Sequence, residues 1–212
     1  MADKYTSLLQ LRRNLEEGRD YRVTCWNRNN PVTILAPHGG YIEPGTSAIA
    51  RGIAGDDFNL YDFQGLQRER PDELHVTSTR FRDTALTKMI KKSQLALSIH
   101  GMGQVDKWAV WIGGLNLSLK DSVVASLEDA GFRVNINPPK YRGEHAKNVV
   151  NLVPGGGVQL ELPEDLIDSL FADGTLTAKA KEQSTNKRFT QFTGAIRRSI
   201  LRELSGADTK IA

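Results

Sequence analysis

Three apolar segments constrain the fold of this chain more than any other feature of its sequence. They read PVTILAP, QLALSI and GVQLEL, and they lead to His38, to His100 and to Glu161, respectively. Segments rich in valine, isoleucine and leucine and bounded by glycine and proline are typical of strands buried on both faces of a mostly parallel sheet. Two helical patterns lie nearby, at residues 46–54 with a threonine or serine cap and at residues 118–132, ended by Gly131. The sequence therefore predicts a three-layer α/β/α fold with a mixed, mostly parallel sheet.

The chain has the composition of one globular domain. Its 212 residues are 39% hydrophobic, and no linker, low-complexity tract or internal repeat divides them, so we expect a single domain over residues 1–212. The amino terminus lacks the apolar core of a secretory signal, and no segment has the roughly 18 apolar residues that span a bilayer. We expect a soluble protein without a membrane partner, cytoplasmic on synthesis and released by cell lysis if its target is extracellular.

The single cysteine excludes an internal disulfide. Cys25 lies in the strand-like segment YRVTCW, which favours a buried structural thiol over a nucleophile. Disulfide bonds therefore have no part in stabilising this fold.

The densest basic segment lies near the C-terminus. The net charge is +3, and the segment KRFTQFTGAIRRSILREL has apolar residues at helical spacing with arginines mostly between them. This pattern predicts a helix over residues 186–205 that packs on the same domain and exposes a basic face, in preference to a nucleic-acid or membrane surface. We therefore expect no nucleic-acid partner.

The residues that end the apolar segments form a candidate metal site. In open α/β sheets, functional groups gather at the carboxyl ends of the strands, so His38, His100 and Glu161 are candidates to converge there. A lone histidine at a strand end is more often a hydrogen-bonded structural residue. Two of the four histidines, however, have the same context of an apolar segment before and a glycine after, which favours a metal site.

Glu43 completes the candidate ligand set. Extended chain from His38 to Glu43 would separate their backbones by roughly 16 Å, too far for one ion. Gly39, Gly40 and the turn at Pro44 allow the chain to fold back. Two imidazoles and a carboxylate, from His38, Glu43 and His100, form the three-ligand set of a catalytic zinc, although manganese and cobalt also accept these ligands.

Glu161 is the candidate general base. Strand alternation places Gln159 and Glu161 on the face opposite Leu160 and Leu162. A solvated edge strand and a buried ion pair are the structural alternatives for a glutamate between leucines. A carboxylate near the metal would accept a proton from water and pass it to a leaving amine.

The motifs of the chain resemble, in order, those of the poly-gamma-glutamate hydrolase family, zinc enzymes of bacteriophages and bacteria. The resemblance covers residues 20–171 and rests mainly on TILAPHGGYIEPGTSAIARGIAG, ELHVTSTRF, LSIHG, NVVN and GVQLEL. It implies a fold similar to that of zinc carboxypeptidases, one Zn²⁺ bound by His38, Glu43 and His100, and Glu161 as general base. It also implies an anionic substrate, poly-gamma-glutamate, cleaved at its gamma-amide bonds.

Substrate contacts are less clearly indicated. The resemblance makes His75 either a substrate contact or a structural strand histidine, and it points to Asn148 and Asn151 of NVVN. The family pattern has arginines where this chain has Leu152 and the segment Pro163-Glu164-Asp165. Because a polyanion requires cationic contacts, the remaining candidates are nearby basic residues: Arg80, Arg82, Arg142 and Lys147. For each of them an ordinary surface charge is the favoured structural alternative.

Two other functions are compatible with these residues. A peptidoglycan-type zinc amidase also uses HGG and a glutamate in an α/β domain, although HVTST and GVQLEL are not features of that class. The missing arginines allow a second alternative, a metal-stabilised binding protein for an anionic polymer that no longer catalyses a reaction.

Overall fold

A mixed seven-stranded sheet forms the centre of the molecule. The computed structural model describes residues 3–104, 106–172 and 184–208. Within them the strand order is β1-β3-β2-β4-β7-β5-β6, with β1–β3 and β5–β7 antiparallel and the other neighbours parallel. The strands are β1 (Tyr21–Trp26), β2 (Val32–Gly40), β3 (Asn59–Gly65), β4 (Leu95–Met102), β5 (Ala109–Gly114), β6 (Arg133–Asn135) and β7 (Val158–Pro163). The predicted mixed, mostly parallel sheet is confirmed.

Helices cover both faces of the sheet. One face packs against α2 (Thr46–Ala54), α4 (Leu117–Asp129), α5 (Glu164–Ser169) and α6 (Lys187–Asp208). The other packs against α1 (Leu8–Asn14), α3 (Thr84–Ile90) and two 3-10 turns, Pro71–Leu74 and Val149–Leu152. Successive residues of β2 alternate between the two cores, because Ile34 packs in the first and Leu35 in the second. The fold is therefore the predicted α/β/α arrangement of three layers.

The start of α2 differs from the sequence prediction of a threonine or serine cap. Gly45 occupies the N-cap position with φ of 98°, and no side chain caps the helix. The hydroxyl of Thr46 instead donates to the carbonyl of Glu43 at 2.7 Å. Ser47 Oγ accepts from the Gly40 N–H at 3.0 Å and donates to Asp62 at 2.8 Å. The prediction was wrong because these hydroxyls hold the connection from β2 to α2, which the local sequence pattern does not reveal.

The C-terminal helix agrees with its sequence prediction. Apolar residues on one side of α6 are buried against the sheet, among them Phe192, Ile196 and Ile200. Its basic face also contributes to packing, because Arg197 donates to the carbonyl of Ile53 at 2.6 Å and pairs with Asp57 at 2.8 Å. The helix thus joins the sheet and α2 through apolar and charged contacts. Among the helices described, none combines the length and the apolar character required to cross a bilayer.

Cys25 is half-buried rather than buried, in contrast to the prediction. It lies on β1, an edge strand of the sheet in the described part of the chain. Burial, and to a smaller extent the charge of Asp83, raise the pKa of its thiol. A raised pKa opposes formation of a thiolate at neutral pH, which agrees with a structural rather than a nucleophilic cysteine.

Candidate metal centre and active site

A β-bulge in β2 delivers His38 to the carboxyl edge of the sheet. Ala36 pairs with Asp62 of β3, but the next pair joins Gly39 to Gln64, so β2 contains one extra residue in this interval. Bulges commonly redirect a side chain near a functional site. Pro37 lies within this bulge, where the N–H that proline lacks is not required by the ladder. The result is a buried His38 that lines a cavity at this edge of the sheet.

The chain then folds back so that Glu43 approaches His38. The Glu43 N–H donates to the His38 carbonyl at 2.9 Å. Gly40 has φ of 67°, in the left-handed region that favours glycine. A β-carbon on Gly39 would collide with Ser47 Oγ and the Asp62 carboxylate, so the turn requires glycine at both positions. The reversal expected from the sequence is present.

Donor atoms of His38, Glu43 and His100 face one another. The distances are 2.9 Å from His38 Nδ1 to Glu43 Oε1, 3.1 Å between the two histidine Nδ1 atoms, and 3.6 Å from His100 Nδ1 to Glu43 Oε2. A tetrahedral zinc ion with bonds of about 2.0–2.1 Å to nitrogen and oxygen holds adjacent ligand atoms about 3.3 Å apart. The spacing and the chemistry of these three groups therefore fit zinc.

Hydrogen bonds from outside this set orient two of its members. His38 Nε2 lies 2.9 Å from the Val76 carbonyl, which can only accept, so Nε2 carries the proton and Nδ1 presents its lone pair. The Gly101 N–H donates to Glu43 Oε2 at 2.8 Å. Burial opposes ionisation of Glu43, but when protons rather than a metal occupy the facing nitrogens of the two rings, the charge of His38 and the hydrogen bonds from both histidines lower the pKa of Glu43 below its ordinary range. Glu43 is thus an anionic ligand candidate at neutral pH.

His75 offers an alternative third donor. His38, Glu43 and His75 also have ligand atoms within 4.8 Å of one another, and the rings of His38 and His75 are 4.1 Å apart. His75 Nδ1, however, lies 2.8 Å from an oxygen of Asp3, a carboxylate that also accepts from the Thr77 N–H at 2.8 Å. His100 Nδ1, by contrast, faces only His38 and Glu43 among the described residues. The closer approach of His100 Nδ1, within 3.6 Å of both other donors, favours His100 as the third donor, with His75 beside it.

Glu161 lies beside the donor cluster on the adjacent strand. It is directly opposite His100 in the parallel pair β4–β7 and is 7% exposed. Leu160 and Leu162 point into the first core, as the alternation of the strand predicts. Burial, followed by the negative charge of Glu43, raises the pKa of Glu161 well above its ordinary value. No arginine or lysine of the described residues forms an ion pair with it.

The cavity at this edge of the sheet has a volume of about 730 Å³. The donor cluster and Glu161 form one part of its wall, and the segment from Tyr141 to His145 forms another. Three of the predicted substrate contacts, His75, Arg142 and Asn148, line it. Arg142 donates through Nε to the Pro138 carbonyl at 3.0 Å.

The other predicted substrate contacts lie away from the cavity wall. Arg80 is largely exposed and its guanidinium is 3.9 Å from Asp3. Asn151 uses its amide within the fold, donating to the Gly143 carbonyl at 2.7 Å and accepting from the Gly157 N–H at 3.1 Å. Arg82 donates to the Lys147 carbonyl at 2.6 Å, which places both residues in a structural contact.

Sequence reasoning missed two residues of this site. Asp3 binds His75 from 72 positions away, and nothing in the first residues of the chain indicates this contact. Gln159 donates to Glu161 Oε1 at 2.8 Å. Strand alternation placed Gln159 on the same face as Glu161, and that was the signal available for recognising it.

Comparison with known proteins identifies relatives over nearly the whole chain. A family model for poly-gamma-glutamate hydrolase matches residues 5–195. Two UPF0714 proteins of Bacillus subtilis strain 168 are similar: YndL is 32% identical over 195 residues, 90% of this chain and 75% of YndL. The SPbeta prophage-derived YoqZ is 30% identical over 202 residues, 94% of this chain and 72% of YoqZ.

Two solved structures are similar to this chain over nearly its whole length. A bacteriophage poly-gamma-glutamate hydrolase has a TM-score of 0.91 and 27% identity, covering 96% of this chain and 99% of that one. The zinc-free apo structure of YndL has a TM-score of 0.86 and 30% identity, covering 95% and 99%. Because the family model spans most of the sequence, the protein belongs to the poly-gamma-glutamate hydrolase family.

Proposed function

We propose that this chain is a zinc-dependent hydrolase of gamma-glutamyl amide bonds in poly-gamma-glutamate. In this proposal His38, Glu43 and His100 bind one Zn²⁺, and Glu161 is the general base. The observation that carries it is the approach of three donor atoms within 3.6 Å of one another, with a buried carboxylate on the neighbouring strand opposite His100. The zinc-free structure of the relative YndL supports zinc as the metal.

Zinc held by these residues would supply Lewis acidity for the amide carbonyl and for the attacking water. Glu161 accepts a proton from that water as the new carbon–oxygen bond forms. It then donates the proton to the departing nitrogen as the carbon–nitrogen bond breaks. A buried carboxylate with a raised pKa suits both steps, because proton transfer is most efficient when the pKa of the catalyst approaches the working pH.

Arg142 is the proposed contact for a substrate carboxylate. Among the arginines and lysines of the described residues, it is the one that lines the cavity. Its Nε donates to the Pro138 carbonyl, which fixes the side chain, and in this proposal the two terminal nitrogens donate to the substrate carboxylate. His75, held by Asp3 beside the donor cluster, is the second proposed contact. Arg80, Asn148 and Asn151 act through the surrounding structure in this proposal.

Metal analysis and digestion of poly-gamma-glutamate test the proposal together. Purified protein is expected to contain about one zinc per chain and to shorten the polymer on a sizing gel. Glu161→Gln keeps the metal and loses turnover, whereas His38→Ala and His100→Ala lose both. A fully active Glu161→Gln variant would remove the proposed base.

The same assay separates the two alternative functions. Release of peptides from peptidoglycan with the polymer untouched would replace this proposal with a cell-wall amidase. Binding of the polymer without product, weakened steeply by salt, would replace it with a binding protein.

A further inference from the structure

Three buried side chains form a directed chain of hydrogen bonds that ends on Glu161. Asn148 Nδ2 donates to Gln159 Oε1 at 2.8 Å, and Gln159 Nε2 donates to Glu161 Oε1 at 2.8 Å. Asn148 and Gln159 are each 5% exposed, and all three side chains line the cavity. The chain joins the 3-10 turn Val149–Leu152 to strand β7.

Backbone groups fix the direction of these hydrogen bonds from both ends. The Val150 N–H can only donate, so the Asn148 atom 3.2 Å from it is the oxygen, and Nδ2 therefore faces Gln159. At the other end, the Tyr141 carbonyl can only accept, so the Gln159 atom 3.2 Å from it is Nε2. Both constraints independently require Gln159 to present its NH₂ group to Glu161.

The segment that supplies the Tyr141 carbonyl is itself held against the sheet. The Gly114 N–H donates to the Arg142 carbonyl at 2.8 Å. Gly143 has φ of 63°, and a β-carbon there would approach the side chain of Gln159 to 2.9 Å. Backbone packed this closely on β5 and β7 gives the carbonyl a fixed position, and the orientation of Gln159 follows from it.

We propose that Gln159 is a positioning residue for Glu161. It holds Oε1, so that Oε2 is the oxygen that exchanges protons with water and with the leaving nitrogen. This inference rests on the proposed function, because it presupposes that Glu161 is the base. Gln159 touches neither the substrate nor the metal in this assignment, and it acts through the carboxylate alone.

Reversal of the hydrogen-bond direction tests the proposal more sharply than deletion. In Asn148→Asp one carboxylate oxygen still accepts from Val150 N–H, but the other now faces Gln159. Gln159 must then rotate its amide to donate to Asp, which turns its carbonyl oxygen toward Glu161. Asn148→Ala removes the partner without this reversal, and the Tyr141 carbonyl continues to hold the amide.

We expect Asn148→Asp to lower kcat at least tenfold with KM unchanged, and Asn148→Ala to lower kcat less than threefold, since small displacements of a catalytic group can cost up to about 100-fold. Gln159→Leu is expected to lower kcat as much as Asn148→Asp does, again with KM unchanged. In the Gln159→Leu background Asn148→Asp adds no further loss, because the reversal acts through Gln159. A through-space effect of the new charge would persist in that background and would overturn the proposal.

Gln64→Leu is the matched control. Gln64 is 3% exposed and donates to the carboxylate of Asp62 two positions away at 2.9 Å, but it does not line the cavity. It is expected to lower the unfolding temperature as Gln159→Leu does, while kcat stays within about twofold. Zinc content and unfolding temperature, measured for every variant, confirm that each is folded and loaded.

The possible failures are distinguishable. An active Glu161→Gln variant removes the proposed base itself. Full kcat in Gln159→Leu, together with an inactive Glu161→Gln, overturns only the role of Gln159. Equal kcat in Asn148→Asp and Asn148→Ala also overturns it, and a rise in KM without a fall in kcat would make Asn148 a substrate contact instead.

Discussion

Two strands of the sheet carry the same buried pair, a glutamine and a carboxylate two positions apart, with different surroundings. On β3, Gln64 donates to Asp62 at 2.9 Å, and Arg51 pairs with the same carboxylate at 3.0 Å. On β7, Gln159 donates to Glu161 at 2.8 Å, and no arginine or lysine in the described part of the chain joins it. Asp62 is fully buried and contacts Ser47 and Arg51 of α2, whereas Glu161 lines the cavity.

The difference shows how one local pattern serves stability or chemistry. A buried carboxylate that has a cation and several hydrogen bonds is neutralised, and its neighbours are held in place. A buried carboxylate with one donor has a raised pKa and one oxygen free to react. The charge partner and the access to solvent distinguish the two cases, and neither is visible in the spacing of the residues.

Exchange of a carboxylate for its amide should lower activity strongly on β7 and hardly at all on β3. Glu161→Gln is expected to lower kcat on the order of 10²–10⁴-fold, the range of general acid–base catalysis, while zinc content is unchanged. Asp62→Asn removes the carboxylate that pairs with Arg51 and should lower the free energy of unfolding by about 1–3 kcal/mol, with kcat of the folded protein within about threefold. Steady-state kinetics and denaturant unfolding measure both effects. Equal loss of kcat in the two variants would show that the distinction between the strands is incorrect.

The role proposed for Glu161 depends on which histidine, His100 or His75, is the third ligand of the metal. His100→Ala should abolish zinc binding, and with it the rise in unfolding temperature that zinc produces over chelator-treated protein. His75→Ala should retain both, because the three donors that lie within 3.6 Å of one another remain. The measurement is zinc content with thermal unfolding in chelator and in added zinc. Loss of zinc from His75→Ala with retention in His100→Ala would assign the site to the alternative donor set.

Arg142 tests whether the cavity recognises an anion. Arg142→Ala is expected to raise KM for poly-gamma-glutamate about tenfold with kcat nearly unchanged, since hydrogen bonds to charged groups contribute about 1.5–3 kcal/mol. Arg80→Ala is the control, because Arg80 is exposed and lies outside the cavity wall. Equal KM in the two variants would place the carboxylate contact elsewhere.

The sequence predicted the approach of His38, Glu43 and His100 because it depends on strand ends and on glycine turns, which leave local signals. The layered sheet and α6 were predictable for the same reason, from apolar patterns. The cap of α2 was not, because the hydroxyls of Thr46 and Ser47 are used by residues of the preceding turn.

Hydrogen bonds between side chains that are far apart in the sequence have no local sequence pattern that predicts them. The bond from Asp3 to His75 joins the first residues described to the cavity, and no periodicity marks it. The direction of the Asn148–Gln159 bond depends on the carbonyl of Tyr141 and the N–H of Val150, whose positions only the fold determines. Ligand and base roles for the site residues remain predictions that the variants above test.

The smallest expected effect is a change in the stability of the folded chain when each carboxylate is replaced by its amide. The change should have opposite signs for Glu161 and Asp62. The pKa of Glu161 is raised in the folded chain above its ordinary value of 4.5. At pH below 4.5 the folded and unfolded forms are both protonated, so Glu161 does not oppose folding. As the pH rises through and beyond 4.5, the unfolded form loses its proton first, and stability declines until the folded-state pKa is passed.

Glu161→Gln should therefore stabilise chelator-treated protein at pH 7, because the amide keeps the hydrogen bond from Gln159 and never ionises. Each kcal/mol gained raises the unfolding temperature of a chain of this size by about 2–4 °C. The difference in unfolding temperature between Glu161→Gln and the native protein should disappear near pH 4. Asp62→Asn, in contrast, should lower the unfolding temperature at pH 7. Calorimetry at both pH values measures the effect, and a Glu161→Gln variant less stable than native protein at pH 7 would mean that the carboxylate supports the fold as Asp62 does.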